Sequence, residues 1–215
     1  MLFGVADYVP ALMDCVNAYG IGLQFGHTLV SVDGPGKKAT FSKANADGSN
    51  ELIVKEFDML HVVPPQKAPD FIRVSPLADA AGWVDVDPGT MRHKTFANVS
   101  ALGDAGNTSN AKTAAAARKQ APVVAHNVLA ARGDAKGDAK YNGYGSCPLT
   151  VERGKIVLAE FLYGGKTAPS FPKWLIDGTR PSRAAWVLKE RVLPSLCWEA
   201  MLKGREWLAQ PEMVG

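Results

Sequence analysis

Val5, Tyr8, Val9, Leu12, Met13 and Val16 recur at steps of three and four residues, which places them on one face of a helix. Asp7 stands where an N-cap belongs, Pro10 falls in the tolerated first turn, and Gly20 is a natural stop. A β-rich stretch follows. Leu23, Phe25, His27 and Leu29 alternate, as do Ala39 and Phe41 beyond the turn Asp33-Gly34-Pro35-Gly36. After the polar loop 45–50, the segment from Leu52 to Val63 reads as a longer strand that ends at Pro64-Pro65.

Residues 66–82 read as irregular surface chain. Trp83-Val84-Asp85-Val86-Asp87 predicts a short strand closed by Pro88-Gly89, and Val99 to Leu102 another that runs into Gly103-Asp104. An Ala-rich helix is expected from about Asn110 to Ala131, with Pro122 as a candidate kink. The near-repeat Gly133-Asp134-Ala135-Lys136-Gly137-Asp138-Ala139-Lys140 reads as a flexible hydrophilic linker and a domain boundary. Beyond it, Ile156-Val157-Leu158-Ala159 is a buried-strand run. Trp186, Val187, Leu193, Leu196, Met201, Leu202 and Leu208 then recur at helical spacing, split in two by Pro194.

At 215 residues, with 47% hydrophobic and 21% charged positions, the chain has enough apolar material for a real core, which excludes global disorder. Lys and Arg number 24 against 21 Asp and Glu, and a surplus of +3 without a basic run gives no reason to expect nucleic acid. Three widely spaced cysteines, Cys15, Cys147 and Cys197, cannot close a disulfide framework and read as free thiols or members of a redox site. No apolar stretch reaches the roughly 18 residues of a spanning helix, and Met1-Leu2-Phe3-Gly4 lacks the features of a signal peptide. The expected location is cytoplasmic or peripheral to a membrane. His27, His61, His93 and His126 show no ligand spacing, so no metal site is expected.

A strand that ends in Gly-Asp before a helix is a recurring way to approach a nucleotide or flavin. The glycine lets the backbone come close, the aspartate accepts hydrogen bonds from hydroxyls, and the helix N-terminus favours anions. A turn with a local cap produces the same dipeptide, so Gly103-Asp104 alone decides nothing. Its surroundings say more. Gly82 to Asp87, then Phe96-Ala97-Asn98-Val99-Ser100-Ala101-Leu102-Gly103-Asp104, and the stretches DAGNTSNAKTAAA from Asp104 and YNGYGSCPLTVERGKIVLAEF from Tyr141, resemble the sulfide:quinone oxidoreductases. Met59 to Pro65 and Ala78 to Val86 are similar to that family too. These are FAD-dependent proteins of the pyridine nucleotide-disulphide oxidoreductase type, and the resemblance covers the C-terminal half of a member.

The resemblance implies an α/β fold: the C-terminal part of a flavoprotein with two dinucleotide-binding, Rossmann-like domains, with mixed β hairpins and C-terminal helices. Residues 1–65 would end the second nucleotide-type domain, 66–132 would return to the FAD domain, and 133–215 would carry the redox cysteine and the quinone and membrane contacts. Cys147 would be one of two redox cysteines beside the flavin. Gly103, Asp104, Lys112 and Thr113 would contact FAD, with the Lys112 cation near the pyrimidine ring. A solvated lysine in a first helical turn fits the same position. The chemistry asks for a paired, accessible sulfur of low pKa, whereas a lone buried cysteine is inert.

The second cysteine and the Gly-rich FAD fingerprint lie, in the family, upstream of the matched region. Cys15 sits on the apolar helix stripe, Cys197 does not match the missing partner, and Gly20, Gly22 and Gly26 follow a helix, the reverse of the fingerprint's context. The resemblance therefore implies sulfide oxidation and quinone reduction by a longer protein, with this part inactive and without retained FAD on its own. Ser109 and Gly145 stand where the family more often has proline and threonine. Trp186, Trp198 and Trp207 with Lys189, Arg191, Lys203 and Arg205 fit an interfacial anchor in 182–215 or an ordinary stripe buried on a sheet. The alternatives are a cytochrome-linked sulfide dehydrogenase, an NADH:quinone reductase, or a non-catalytic interaction module. Self-association is left open.

Overall fold

The first helix, α1 (Val9–Ala18), ends where the glycine stop predicts. Gly20 lies at φ +64°, its N–H donates to the Asn17 carbonyl at 3.1 Å, and the Ile21 N–H reaches back to Val16 at 2.9 Å. Left-handed geometry with paired back-bonds is the ordinary way to satisfy a helix's last carbonyls. At the other end a 3-10 turn, Ala6–Tyr8, leads in, and Asp7 lies within that turn instead of capping the helix. Of the stripe, Val5 and Tyr8 are buried and Val9, Leu12, Met13 and Val16 half-buried, while Ala11, outside the stripe, is buried as well.

A computed structural model describes residues 2–205 and 209–214. It divides into two compact units, one of residues 16–66 and one of residues 2–15 with 67 onward, so that the division falls within α1 and again at Gln66. The smaller unit holds an antiparallel meander of β1 (His27–Asp33), β2 (Lys38–Ala44) and β3 (Asn50–Glu56) in the order β1-β2-β3. Leu29, Phe41 and Ile53 lie side by side across it. The expected strands are longer than the observed ones. Leu23 and Phe25 precede β1, and β3 stops at Glu56, well short of Val63. The alternation there is too irregular to continue the ladder.

The larger unit is built on the hairpin β5 (Gly145–Glu152) and β6 (Lys155–Phe161), in which Cys147 faces Ala159 and Ser146 faces Glu160. One face of β6 carries Val157, Ala159 and Phe161 against Val5, Tyr8 and Ala11. The other carries Ile156 and Leu158 against Ile176 and Ala185. A hairpin covered on both faces explains why this run reads as continuously apolar. A second core joins Val84, Val86 and Met91 to Val123, Ala139 and Tyr141.

The Ala-rich helix is α3 (Ala114–Arg132), four residues shorter at its start than expected. Thr113 adopts extended backbone there, and its hydroxyl accepts from the Ala116 N–H at 3.2 Å, which fixes the boundary. The helix runs through Pro122 and stops at Gly133, at φ +86°. A short helix, α2 (Asp70–Arg73), interrupts the segment expected to be irregular. Strand-like pairing at 83–87 is confined to isolated bridges, including a parallel one from Val84 to Gly106.

Two expectations need correction. The repeat 133–140 is not a flexible linker throughout. Its end forms β4 (Asp138–Lys140), paired with β7 (Glu212–Val214), and Ala139 is fully buried with its backbone held by Asn127. The polar repeat hid one inward residue, and the compact units do not divide there. Pro194 does not split the C-terminal helix either. Helical geometry continues from α4 (Arg183–Val187) through a wide π-type turn, Leu188–Val192, into α5 (Leu193–Glu199). Proline lacks the N–H of a normal turn, and the widened turn before it accommodates that loss. Leu208 and Trp207 lie outside the described residues.

The sheets with named strands are all antiparallel, so the fold is mixed α/β. No helix among the described residues is long and apolar enough to cross a membrane.

Candidate functional site

The Gly-Asp turn is a single 3-10 turn, Gly103–Ala105, set against the start of α3. Gly103 lies at φ +63°, a conformation that glycine adopts without strain. Its N–H donates to the side chain of Gln120 at 2.6 Å, and Gln120 is itself buried on α3. Asp104 is exposed. Behind the turn, the Val84 N–H donates to Ala105 and the Asn107 N–H to Val84, which holds 103–107 parallel to 83–87. The Asn107 side chain completes the tie, donating to Asp85 at 2.7 Å and accepting from the Val86 N–H at 3.0 Å.

Lys112 points at this turn. Its ammonium donates to the carbonyls of Asp104, at 3.2 Å, and Gly106, and lies 4.2 Å from the centre of the Trp83 ring. Partial burial lowers its pKa, with the Asp104 charge acting in the opposite sense. Gly103, Asp104, Lys112 and Thr113 are thus brought together. Two of them spend their polar atoms within the chain, Lys112 on the turn and Thr113 on the cap of α3.

Cys147 is half-buried on β5 and packs against the Val5–Tyr8–Phe161 core. It borders a cavity of about 260 Å³, whose wall also includes Ser109, Asn110, Phe161, Tyr163 and Gly165. The segment 109–111 joins the Gly-Asp turn to α3, so the cavity sets the sulfur beside the same loop. Burial pushes the Cys147 thiol above its ordinary value. The expected low-pKa sulfur is therefore not what this environment creates, because desolvation disfavours the thiolate. Cys15 and Cys197 are also half-buried free thiols. Among the described residues no cluster of His, Cys, Asp and Glu could hold a metal ion.

The residues that hold these groups carry little signal in the sequence. Trp83 reads there only as part of a strand, and Gln120 and Asn107 stand out in no pattern, whereas Glu160, a carboxylate inside the apolar run 156–161, is a visible signal. Tyr163 hydrogen-bonds the Pro88 carbonyl at 2.9 Å and stands edge-on to Tyr141, with ring centres 5.6 Å apart. Its phenol is pushed up to about 12 by burial and by the charge of Asp87.

No family model matches the chain. Curated proteins do. A mitochondrial sulfide:quinone oxidoreductase of Dictyostelium discoideum is 40% identical over 95% of this chain, and that of Schizosaccharomyces pombe 38% over 99%. The mouse protein of the same name is 34% identical over 94%. The chain is related in sequence to the sulfide:quinone oxidoreductases. It spans 44–47% of the length of these relatives, consistent with a C-terminal half. A chain in the cryo-EM structure of the Tetrahymena thermophila mitochondrial ATP synthase shares the fold, with a TM-score of 0.71, 24% identity, and 95% of this chain and 46% of that one aligned.

Proposed function

We propose that this chain is the C-terminal portion of an FAD-dependent oxidoreductase of the sulfide:quinone type, and that it supplies one redox sulfur and one edge of the flavin site. The observation that carries this reading is the single loop, 103–113, that joins the Gly-Asp turn to the wall of the Cys147 cavity.

The residues present fit a flavin. A glycine at positive φ permits close backbone approach, the exposed Asp104 carboxylate is an acceptor for sugar-like hydroxyls, and the start of α3 favours an anionic group. Asp104 and the α3 N-terminus would hold it, while Lys112 and Thr113 would shape the loop that does. Bound FAD would supply a two-electron acceptor from which quinone is reduced. The rest of its binding surface, the Gly-rich fingerprint included, belongs in this reading to the part of the relatives' length that the chain does not match. The purified chain alone is then expected to lack flavin absorbance.

Cys147 enters the chemistry as half of a disulfide with a second cysteine from that same part. Hydrosulfide attacks one sulfur, the old S–S bond breaks, and a new one forms to the sulfide sulfur. The other cysteine leaves as a thiolate carrying the electron pair. A cysteine held as a disulfide needs no low pKa of its own, which reconciles the raised Cys147 thiol with the role. Lys189 donates to the Pro148 carbonyl at 3.1 Å and to the Thr150 hydroxyl at 2.9 Å, so in 182–215 a membrane-facing role would fall to the exposed Trp198 and Leu202.

Joining the chain to the unmatched portion of the Dictyostelium relative tests the reading. A yellow protein that reduces quinone only when sulfide is present supports it. A folded but colourless joined protein overturns it and favours a non-catalytic module, the reading to which the half-buried Cys147 thiol, its pKa raised by burial, also points.

A further inference from the structure

Glu160 is a buried carboxylate to which the chemistry above assigns no task; only 4% of it is exposed. Its side chain accepts from the Tyr144 hydroxyl at 2.5 Å, the Ser170 hydroxyl at 2.5 Å and the Ser170 N–H at 3.0 Å. Its backbone is engaged as fully. The Tyr8 hydroxyl donates to the Glu160 carbonyl at 2.8 Å and accepts from the Glu160 N–H at 3.0 Å, and the Ala168 N–H donates to the same carbonyl at 3.0 Å. One residue therefore ties together the start of the chain, the turn before Cys147, and the segment 168–170.

The position of that segment gives the cluster its meaning. Residues 162–165 form part of the wall of the Cys147 cavity, and 168–170 is where the same loop returns to the sheet. Tyr144 lies three residues before Cys147, immediately ahead of β5. Leu162 donates to the Lys166 carbonyl, and Phe161 bridges to Thr167, so the loop is short and anchored at both ends on Glu160 and its neighbours. A buried carboxylate that loses its donors is costly, as are donors that lose their carboxylate, so the arrangement holds as a unit or opens as one.

We propose that Glu160 is a positioning residue for Cys147: from the face of the hairpin opposite the sulfur it anchors the far end of the loop 162–170, whose first residues wall the Cys147 cavity, and so sets how far the sulfur is open to solvent and small reactants. The proposal deepens the reading of Cys147 as a reacting sulfur and rests on it for its purpose, but the clasp itself can be measured without any redox partner.

The test uses the full chain with Cys15→Ser and Cys197→Ser, which leaves Cys147 as its one thiol. The rate of its alkylation by iodoacetamide is followed from pH 6 to 10, well below the unfolding temperature. Glu160→Gln keeps the size of the side chain but removes the charge: with its carbonyl oxygen on the Ser170 N–H, its N–H₂ must donate to the Tyr144 and Ser170 hydroxyls that otherwise donate to the carboxylate, so the charge-assisted bonds are lost. Opening the loop is expected to rehydrate the sulfur, lower the inflection of the pH profile and raise the rate near neutrality about tenfold, the factor of one pKa unit. Ser170→Ala and Tyr144→Phe each remove one arm and should move the profile the same way, less far. If Glu160→Gln does not fold, these two variants decide. Folded variants that melt earlier yet keep the parental profile would make Glu160 merely structural and overturn the proposal. Failure of the redox reading would show separately, in the joined enzyme, and would leave this profile unchanged.

Discussion

The Lys112 ammonium sits 4.2 Å from the centre of the Trp83 ring and closes the Gly-Asp turn by donating to two of its carbonyls. The pair links the strand-like segment 83–87 to the loop ahead of α3, and it gives the turn a fixed shape that the dipeptide alone would not have. Lys112→Met keeps the stem and removes the charge. Hydrogen exchange at the Asn107 and Val84 amides should then accelerate about tenfold, the factor that about 1.4 kcal/mol carries for a partly desolvated cation on an aromatic face. Lys112→Arg should restore part of the protection. Unchanged exchange in the Met variant would show that the turn holds itself.

Gly143 lies at φ +87°, and a Cβ placed there would come within 2.2 Å of the Tyr163 ring. Gly143→Ala therefore combines backbone strain with a clash against a residue that walls the Cys147 cavity. A loss of about 2–4 kcal/mol is expected in urea unfolding. Retention of parental stability would mean that Tyr163 can swing aside freely.

Asp87 accepts from the Thr90 N–H at 2.7 Å, the Thr90 hydroxyl at 2.9 Å and the Gly89 N–H at 3.1 Å. The bonds from Thr90 lead in holding its pKa below the ordinary 3.8. Because the folded value is the lower one, this stabilisation is in place above the unfolded pKa and is lost as pH falls through the folded one. Asp87→Asn should lower Tm at pH 7 by roughly 2–4 °C, with the difference shrinking to nothing near pH 2. A difference that persists in acid would trace to packing instead of charge.

Local signals with a single physical cause were legible in the sequence. The Gly20 stop, the turn at 33–36 and the buried run of β6 all follow from backbone preference or from burial on both faces. What escaped depends on distant partners. Ala139 looks like part of a polar repeat until Asn127 and β7 close around it. The start of α3 is set by the Thr113 cap, which competes with the helix-forming pattern upstream. At the site, the family resemblance, and not residue type or spacing, pointed to the Gly-Asp turn and to Cys147. The groups that hold them, Trp83, Gln120 and Glu160, act through contacts made across long stretches of chain. The raised thiol follows from burial alone and has no signature in the spacing of Cys147 from its neighbours.

The most direct test is Cys147→Ser in the protein formed by joining this chain to the unmatched part of its Dictyostelium relative, with bound flavin measured alongside turnover. Flavin content should stay at the level of the unsubstituted protein, because Cys147 lies beside the loop 103–113 and is not part of it, while sulfide-dependent quinone reduction should fall by about three orders of magnitude, as expected when the disulfide that hydrosulfide attacks can no longer form. Full turnover in the serine variant, with flavin bound, would contradict the account.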